Sequence, residues 1–539
     1  MPVRVTRDAA GSSNLLNFDG VPTGRVSVPR LTYLMAGKLR FRALLNGTAV
    51  AAMIWAIVRA SVQAITIDEA VSYLNFARAT ESSPSYWEAR DNNHVLNSIL
   101  MRFFTGIFGP SPVTVRAGAL IGAAIYIWAA RRTAVLIARE PGLRWSLFVC
   151  LVFNPFVFDF LVAARGYGLA LAFLLSAIAI IAGALRPDAE GSLAGACFRS
   201  SVCGGLCVAA NFSFSFAAAA TLLALYVWAG MQTRPDARTA LRLAAICVLP
   251  GAVVLSALAG SALVHWRELG LTHGAQTLRD TLRSVAEASL YEPNGYLVNP
   301  VWSPLVGGIF AWIWPVLGLG IALRFAAVVR DVARSRDPHT RWLVGLGAST
   351  MGALGLSLSV HALVHALFGM RYPLDRTAIF IVPLATLAGG IIAAVPVRPG
   401  WLRRIVLGMP GIVAGCYLVC MRMTYFREWK WDLDIDRVYG VLTYYNHTCG
   451  VQQVSANWRY DAALNYYNAA SRRETFAEIP STREYPTGAG AYVLYGPEDG
   501  AFVAGHHLKV VYEGQAGALV ALAPEKACEE VLPKGGVVW

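Results

Sequence analysis

The chain has 539 residues, of which 56% are hydrophobic and only 15% charged. That balance is too apolar for a soluble protein of this length and fits a polytopic membrane protein. The net charge of +13 does not point to nucleic acid, because the arginines fall in short clusters between apolar runs, as orientation signals do in a membrane protein.

Residues 1–42 are rich in Gly, Ser and Arg, with Lys38, Arg40 and Arg42 at their end. They read as a basic cytoplasmic segment. It is too long for the n-region of a cleavable signal, so the first apolar run is a retained anchor. A helical span needs about 20 apolar residues. On that ruler there are eleven candidates: 43–66, 113–137, 145–164, 166–185, 201–215, 216–231, 240–264, 304–328, 342–366, 377–396 and 404–424. The pair at 201–231 also reads as one long tilted helix; two spans keep the charge alternation.

That alternation sets the orientation. Loops holding Arg131, Arg132, Arg139 and Arg144, then Arg186 and Arg199, then Arg234, Arg238 and Arg242 are basic, as are those at 330–341 and 398–404. The loops 67–112, 265–303 and 367–376 mix acids with bases. The positive-inside rule places the N-terminus in the cytoplasm and the 67–112 loop outside, in a multi-pass protein of the cell's inner (plasma) membrane. The region 43–424 is then the membrane domain, and 425–539 lies outside. In that tail AYVLYG (491–496), LKVVYEG (508–514) and ALVALA (518–523) read as strands, and 432–447 as a helix. The fold class expected is an α-helical polytopic membrane protein with a small extracytoplasmic α/β C-terminal domain. Cys449 and Cys528 either pair as a disulfide in that oxidising compartment or are buried thiols.

The loop after the first span carries the chemistry. Asp68 and Glu69 follow that span directly. They are either a solvated helix end or a carboxylate whose partial burial suits it to take a proton. Asp91, Asn92, Asn93 and His94 form a second polar knot, suited to a sugar, to a metal–phosphate site or to a plain helix-capping turn. Arg102, Arg116, Arg165, Arg371 and Arg376 map to the outer side, where the positive-inside rule does not explain them. They either snorkel to lipid headgroups or grip phosphate by bidentate hydrogen bonds. His265 ends a span on that side, and His361 and His365 share a helix face at i, i+4, a spacing that serves a divalent metal or simple packing. There is no P-loop, GxSxG or HExxH, so an activated donor has to arrive in the membrane.

Taken together, the acidic pair Asp68–Glu69, NNHVLNSILMR before a Leu-rich helix, GPSPVTVRAGAL, ARGYGLAL and RYPLDR resemble the GT-C glycosyltransferases. The nearest branch holds the protein O-mannosyltransferases and the lipid A aminoarabinose transferase. The resemblance implies a polyprenyl-phosphate-linked sugar donor, an acceptor hydroxyl on an envelope glycan, lipid or protein, and inversion at the anomeric carbon. It casts Asp68 as general base, with Glu69 its rival, and Asp91, Asn93 and His94 as acceptor or metal contacts. Arg102, Arg116, Arg165, Tyr167, Arg371 and Arg376 would hold the donor phosphate. The alternative from another class is a transporter or flippase of lipid-linked sugars, which calls for charges near mid-membrane and paired broken spans.

Overall fold

The structure is a computed structural model that describes residues 28–78, 92–265, 274–290, 337–396, 400–471, 475–480 and 488–524, with the single residues 305, 316, 318, 320, 324 and 485. It divides into two compact units, Met1–Leu44 and Leu45–Trp539. The first is described from Val28, where helix α1 (Val28–Val62) begins. All that follows concerns the second.

Among the described residues nine helices are long and apolar enough to cross a membrane, or ten with one bent pair. These are Phe41–Val62, Ala117–Ile137, Tyr167–Ala184, Leu193–Ala210, Phe212–Thr233, Ala237–Val264, Pro338–Phe368, Asp375–Ala394 and Arg403–Cys420, with Pro141–Val152 and Pro155–Val162 as the bent pair. The protein is therefore a multi-pass membrane protein. The pair expected at 201–231 is indeed two helices, and the first starts eight residues earlier than expected, at Leu193. Asn211 breaks them, its Oδ1 accepting from the Ser213 amide at 2.9 Å. The span expected at 304–328 lies, apart from single residues, outside the described residues.

The expected span 145–164 is not one straight helix. It is α6 (Pro141–Val152) and α7 (Pro155–Val162), bent by 57°. Asn154-Pro155 causes the break: proline cannot donate its amide and its ring clashes with the preceding turn. Asn154 restarts the helix by accepting from the Val157 amide at 3.1 Å. The helices pack closely where side chains are small. A Cβ at Gly122 on α5 (Ala117–Ile137) would stand 2.9 Å from the Leu169 amide nitrogen of α8 (Tyr167–Ala184).

Beyond the last span the chain builds a four-stranded sheet of order β1-β2-β4-β3: Val454–Ala456, Ala491–Tyr495, Ala518–Leu522 and Lys509–Glu513. β1 pairs parallel to β2, and the other pairings are antiparallel. The three expected strands are present, and the expected helix spans Ile435–Cys449. This layer is not packed apart from the rest. Its Ile435, Val438, Tyr466 and Val520 share one hydrophobic cluster with Ile65, Ala70, Tyr73 and Ala164, so the sheet layer buttresses the segment that follows the first span. Cys449 is disulfide-bonded, whereas the other seven described cysteines are free; Cys528 lies outside the described residues.

Candidate active site

The segment after α1 turns sharply into α2 (Ile67–Ser72), and a π-helical turn, Tyr73–Ala77, follows. Thr66-Ile67-Asp68-Glu69 is a capping box. The Thr66 hydroxyl accepts from the Glu69 amide, and Glu69 Oε2 accepts from the Thr66 amide at 3.0 Å. Glu69 is thereby pulled back over the helix start, while Asp68, one residue earlier, points roughly 100° away.

The two acids have opposite fates. Glu69 is wholly buried, and both its oxygens are filled. Arg116 Nε donates to Oε1 at 2.8 Å and Arg116 Nη2 to Oε2 at 2.7 Å, and the Ala164 amide adds a third bond to Oε1 at 2.8 Å. Arg116 spends its other donors on the carbonyls of Ala60, Gln63 and Ala64, where helix α1 runs out. Burial alone would push the Glu69 carboxyl up; the Arg116 guanidinium outweighs it and holds it below the usual range. This pair is a strut, with no surface left for a substrate. The roles expected for Glu69 in proton transfer and for Arg116 in phosphate binding find no uncommitted atom, because both oxygens of the one and all five N–H groups of the other are already bonded.

Arg165 is also largely committed. It is buried, and its Nη1 donates to Ser72 Oγ at 3.0 Å and to the carbonyls of Asp68 and Asn92 at 3.3 Å each, while Nη2 bonds the Asn92 side chain. It stands 3.6 Å from Asp68 Oδ2. The turn that presents it depends on Gly166, whose φ of +70° is left-handed and whose Cβ, if present, would fall 2.2 Å from the Ala210 carbonyl oxygen.

Arg376 differs. Its Nη1 bridges two carboxylates, Asp68 Oδ2 at 2.9 Å and Glu428 Oε1 at 2.7 Å, and its side chain keeps 23% of its surface exposed. Its Nε and Nη2 make no hydrogen bond to a described residue. Asp375, just before it, holds a left-handed φ of +47°, a conformation that costs a non-glycine residue energy and recurs at functional sites. Asp68 is pushed up by burial, but Arg165, Arg376 and a hydrogen bond from Trp429 together hold it below the ordinary carboxylate range. Glu428 goes the other way: burial pushes it up to about 7, against Arg376 and with help from Asp68 and Asp375.

Sequence reasoning missed Glu428. It reaches the site because the chain after the last span is pinned to the membrane helices. Arg59 on α1 pairs with Asp159 on α7 at 2.9 Å and donates to the Tyr425 carbonyl at 3.1 Å, while the Arg427 amide donates to Asp159 Oδ2 at 3.0 Å. The signal was available: Glu428, like Asp68, is an acid soon after an apolar run.

The remaining expected residues scatter. His94 is buried against Tyr167 and Gly166, and burial with the nearby Arg165 and Arg376 keeps its imidazole neutral. Asn93 is buried, accepting from Ser98 Oγ at 2.8 Å. Tyr167 packs between His94, Phe160 and Phe214. Arg102 lies half-buried on α3 (Val95–Phe108) and Arg371 is exposed; neither is among the cations acting on Asp68. Asp91 lies outside the described residues. His265 Nδ1 lies 3.0 Å from the Ser261 carbonyl oxygen, His361 Nδ1 2.8 Å from that of Ser357, and His365 Nδ1 2.8 Å from that of Met370. Among the described residues no three His, Cys, Asp or Glu side chains gather to hold a metal ion.

No sequence-family profile matches the chain, and no curated protein matches it by sequence. Its fold does have relatives. The crystal structure of ArnT from Cupriavidus metallidurans bound to undecaprenyl phosphate aligns with a TM-score of 0.50 at 12% identity, covering 90% of this chain and 99% of that one. The same protein in the apo state gives 0.44 at 14% identity over 92% and 100%. The archaeal oligosaccharyltransferase AglB from Archaeoglobus fulgidus gives 0.41 at 10% identity over 79% and 63%. The architecture is that of the GT-C fold.

Proposed function

We propose that this GT-C-fold membrane protein is a glycosyltransferase that moves a sugar from a polyprenyl-phosphate donor to an acceptor hydroxyl, with inversion, where Asp68, Arg376 and Glu428 meet. One observation carries the reading. Arg376 is a half-open cation between two carboxylates, with N–H donors uncommitted to described residues. It stands in a fold shared with a protein crystallised with undecaprenyl phosphate.

The chemistry follows from that arrangement. As the anomeric carbon–oxygen bond breaks, negative charge builds on the departing phosphate, and a pre-placed guanidinium stabilises it. A carboxylate beside the anomeric carbon offsets the positive charge developing there. Asp68, held ionised by its two arginines, suits that task. A second carboxylate takes the acceptor's proton. The charge alternation of the loops supports an outer-face site, with a donor that comes through the lipid and an envelope glycan, lipid or protein as acceptor.

The test is transfer by the purified protein in nanodiscs, from undecaprenyl-phosphate mannose or aminoarabinose to envelope extract. Transfer that Arg376→Ala slows at least about tenfold supports the reading. Donor recovered intact in the opposite leaflet, with no new glycoside, would indicate a transporter instead. The orientation is checked by reporters: one fused after Trp539 should be active outside the cytoplasm and one after Arg336 inside.

A further inference from the structure

Two acids share Arg376, and they are not equivalent. Asp68 has its Oδ2 on Arg376 at 2.9 Å and near Arg165 at 3.6 Å. Glu428 has Oε1 on Arg376 at 2.7 Å, while its Oε2 is buried and has no hydrogen-bond partner among the described residues. A bare carboxylate oxygen removed from water is costly, and a proton on it is the simplest relief. We propose that the Glu428 carboxylate, whose side chain keeps 23% of its surface exposed, is the proton acceptor of the transfer reaction in place of Asp68, and that Asp68 stays charged to position Arg376 and to face the developing cation.

This rests on the glycosyltransferase reading above. In the step, the acceptor's O–H bond breaks and its proton goes to the Glu428 carboxylate. The acceptor oxygen bonds the anomeric carbon, and the carbon–phosphate oxygen bond breaks with its electron pair leaving on the phosphate. The groups around Glu428 suit it to the role. It is faced by Arg376 and Asp375 from the turn before the tenth expected span, by Asp68 from α2 and by Arg165 from the turn before α8. Asp375 is itself paired with Arg427 at 3.7 Å. Burial is the largest influence, and with Asp68 and Asp375 it outweighs the two arginines, so Glu428 titrates at about 7. A base is most effective when its proton affinity matches the working pH, because it is then both largely deprotonated and still basic. Asp68, held low by Arg165, Arg376 and Trp429, is deprotonated but a poor proton acceptor.

The experiment uses the full chain in nanodiscs. Single-turnover transfer from undecaprenyl-phosphate mannose or aminoarabinose is followed against pH, and infrared spectra record protonated carboxyls, with and without undecaprenyl phosphate. Wild type should gain rate as pH rises along one limb centred near 7, and a carboxyl band should vanish over the same range. Glu428→Gln should slow transfer roughly 10²–10⁴-fold, flatten the limb and delete the band. Glu428→Asp should bring the limb back at lower amplitude, which a merely structural role would not do. Asp68→Asn should slow transfer yet keep the limb. An active wild type whose limb survives in Glu428→Gln overturns this proposal and leaves the glycosyltransferase reading standing. A wild type that transfers neither sugar at any pH overturns that reading and this role with it.

Discussion

Asp68 and Glu69 are neighbours, yet they belong to two unlike regions. Glu69 and Arg116 form a sealed pair with no exposed surface on either side chain. Asp68, Arg376 and Glu428 form a half-open cluster whose side chains keep 18%, 23% and 23% of their surface exposed. Both regions pair arginine with carboxylate at the same chain turn. The sealed one satisfies every oxygen and the orphan carbonyls of α1, and so fixes geometry. The open one leaves donors and an oxygen over, and so can do chemistry. Charge and sequence position do not separate the two; satisfaction of hydrogen bonds does.

The comparison breaks first, and hardest, at the strut. Arg116→Ala should leave the Glu69 carboxylate buried without its cation and strand three carbonyls. Breaking such a pair costs about 3–5 kcal/mol, enough to unfold a marginal membrane domain. Glu69→Gln should act in the same direction. The readout is thermal unfolding in detergent. The pH sign is fixed: the folded pKa of Glu69 lies below its unfolded value. Its contribution is therefore complete above about 4.3 and is lost as pH falls below that. A strut variant with normal melting and reduced transfer would dissolve the distinction between the regions.

The open cluster should respond the other way round. Asp68→Asn should melt near the wild type but slow transfer by roughly 10²-fold or more, as losing a pre-placed electrostatic group does. Arg376→Ala should cost about 1.5–3 kcal/mol, the range for hydrogen bonds to charged groups, seen as a lowered kcat/KM for the polyprenyl-phosphate sugar. Wild-type kinetics in both would reduce the cluster to a second strut.

How far these regions could be read from the sequence differs in the same way. Most of the spans and the three strands follow from apolar run length and alternation, the acidic turn from its place after the first run, and the split at Asn211 from the charge alternation of the loops; the break at Asn154-Pro155 was not expected. Even the choice between Asp68 and Glu69 was written locally, in the Thr66-x-x-Glu69 capping box. The struts were not legible, because the partners of Arg116 are backbone carbonyls at 60, 63 and 64 and those of Arg165 include the Asn92 carbonyl. Backbone groups leave no mark in composition. Glu428 could be noticed as an acid after an apolar run, but its place beside Asp68 could not, because that is set by Arg59, Asp159 and the Arg427 amide, in a contact spanning 268 residues.

Asp432 sharpens the comparison with the smallest effect. It is buried, its Oδ2 accepts from the Ile67 amide at 2.9 Å, and its Oδ1 has no hydrogen-bond partner among the described residues. It thus caps the same turn that carries Asp68 and Glu69, but no arginine is bonded to it. Burial pushes its pKa well above the ordinary carboxylate value, with the charges of Asp68 and Glu69 adding to the rise. The folded state therefore binds a proton that the unfolded state releases, and stability falls as pH rises above the unfolded value of about 3.9. Asn keeps the acceptor for Ile67, matches the neutral acid in shape and never ionises. Asp432→Asn should cost less than about 1 kcal/mol at pH 5, within the usual range for one neutral hydrogen bond. Its melting temperature relative to wild type should then improve as pH rises above 5. A variant that instead loses ground as pH rises would mean that Asp432 is ionised in the folded protein and belongs, with Asp68, to the charged cluster.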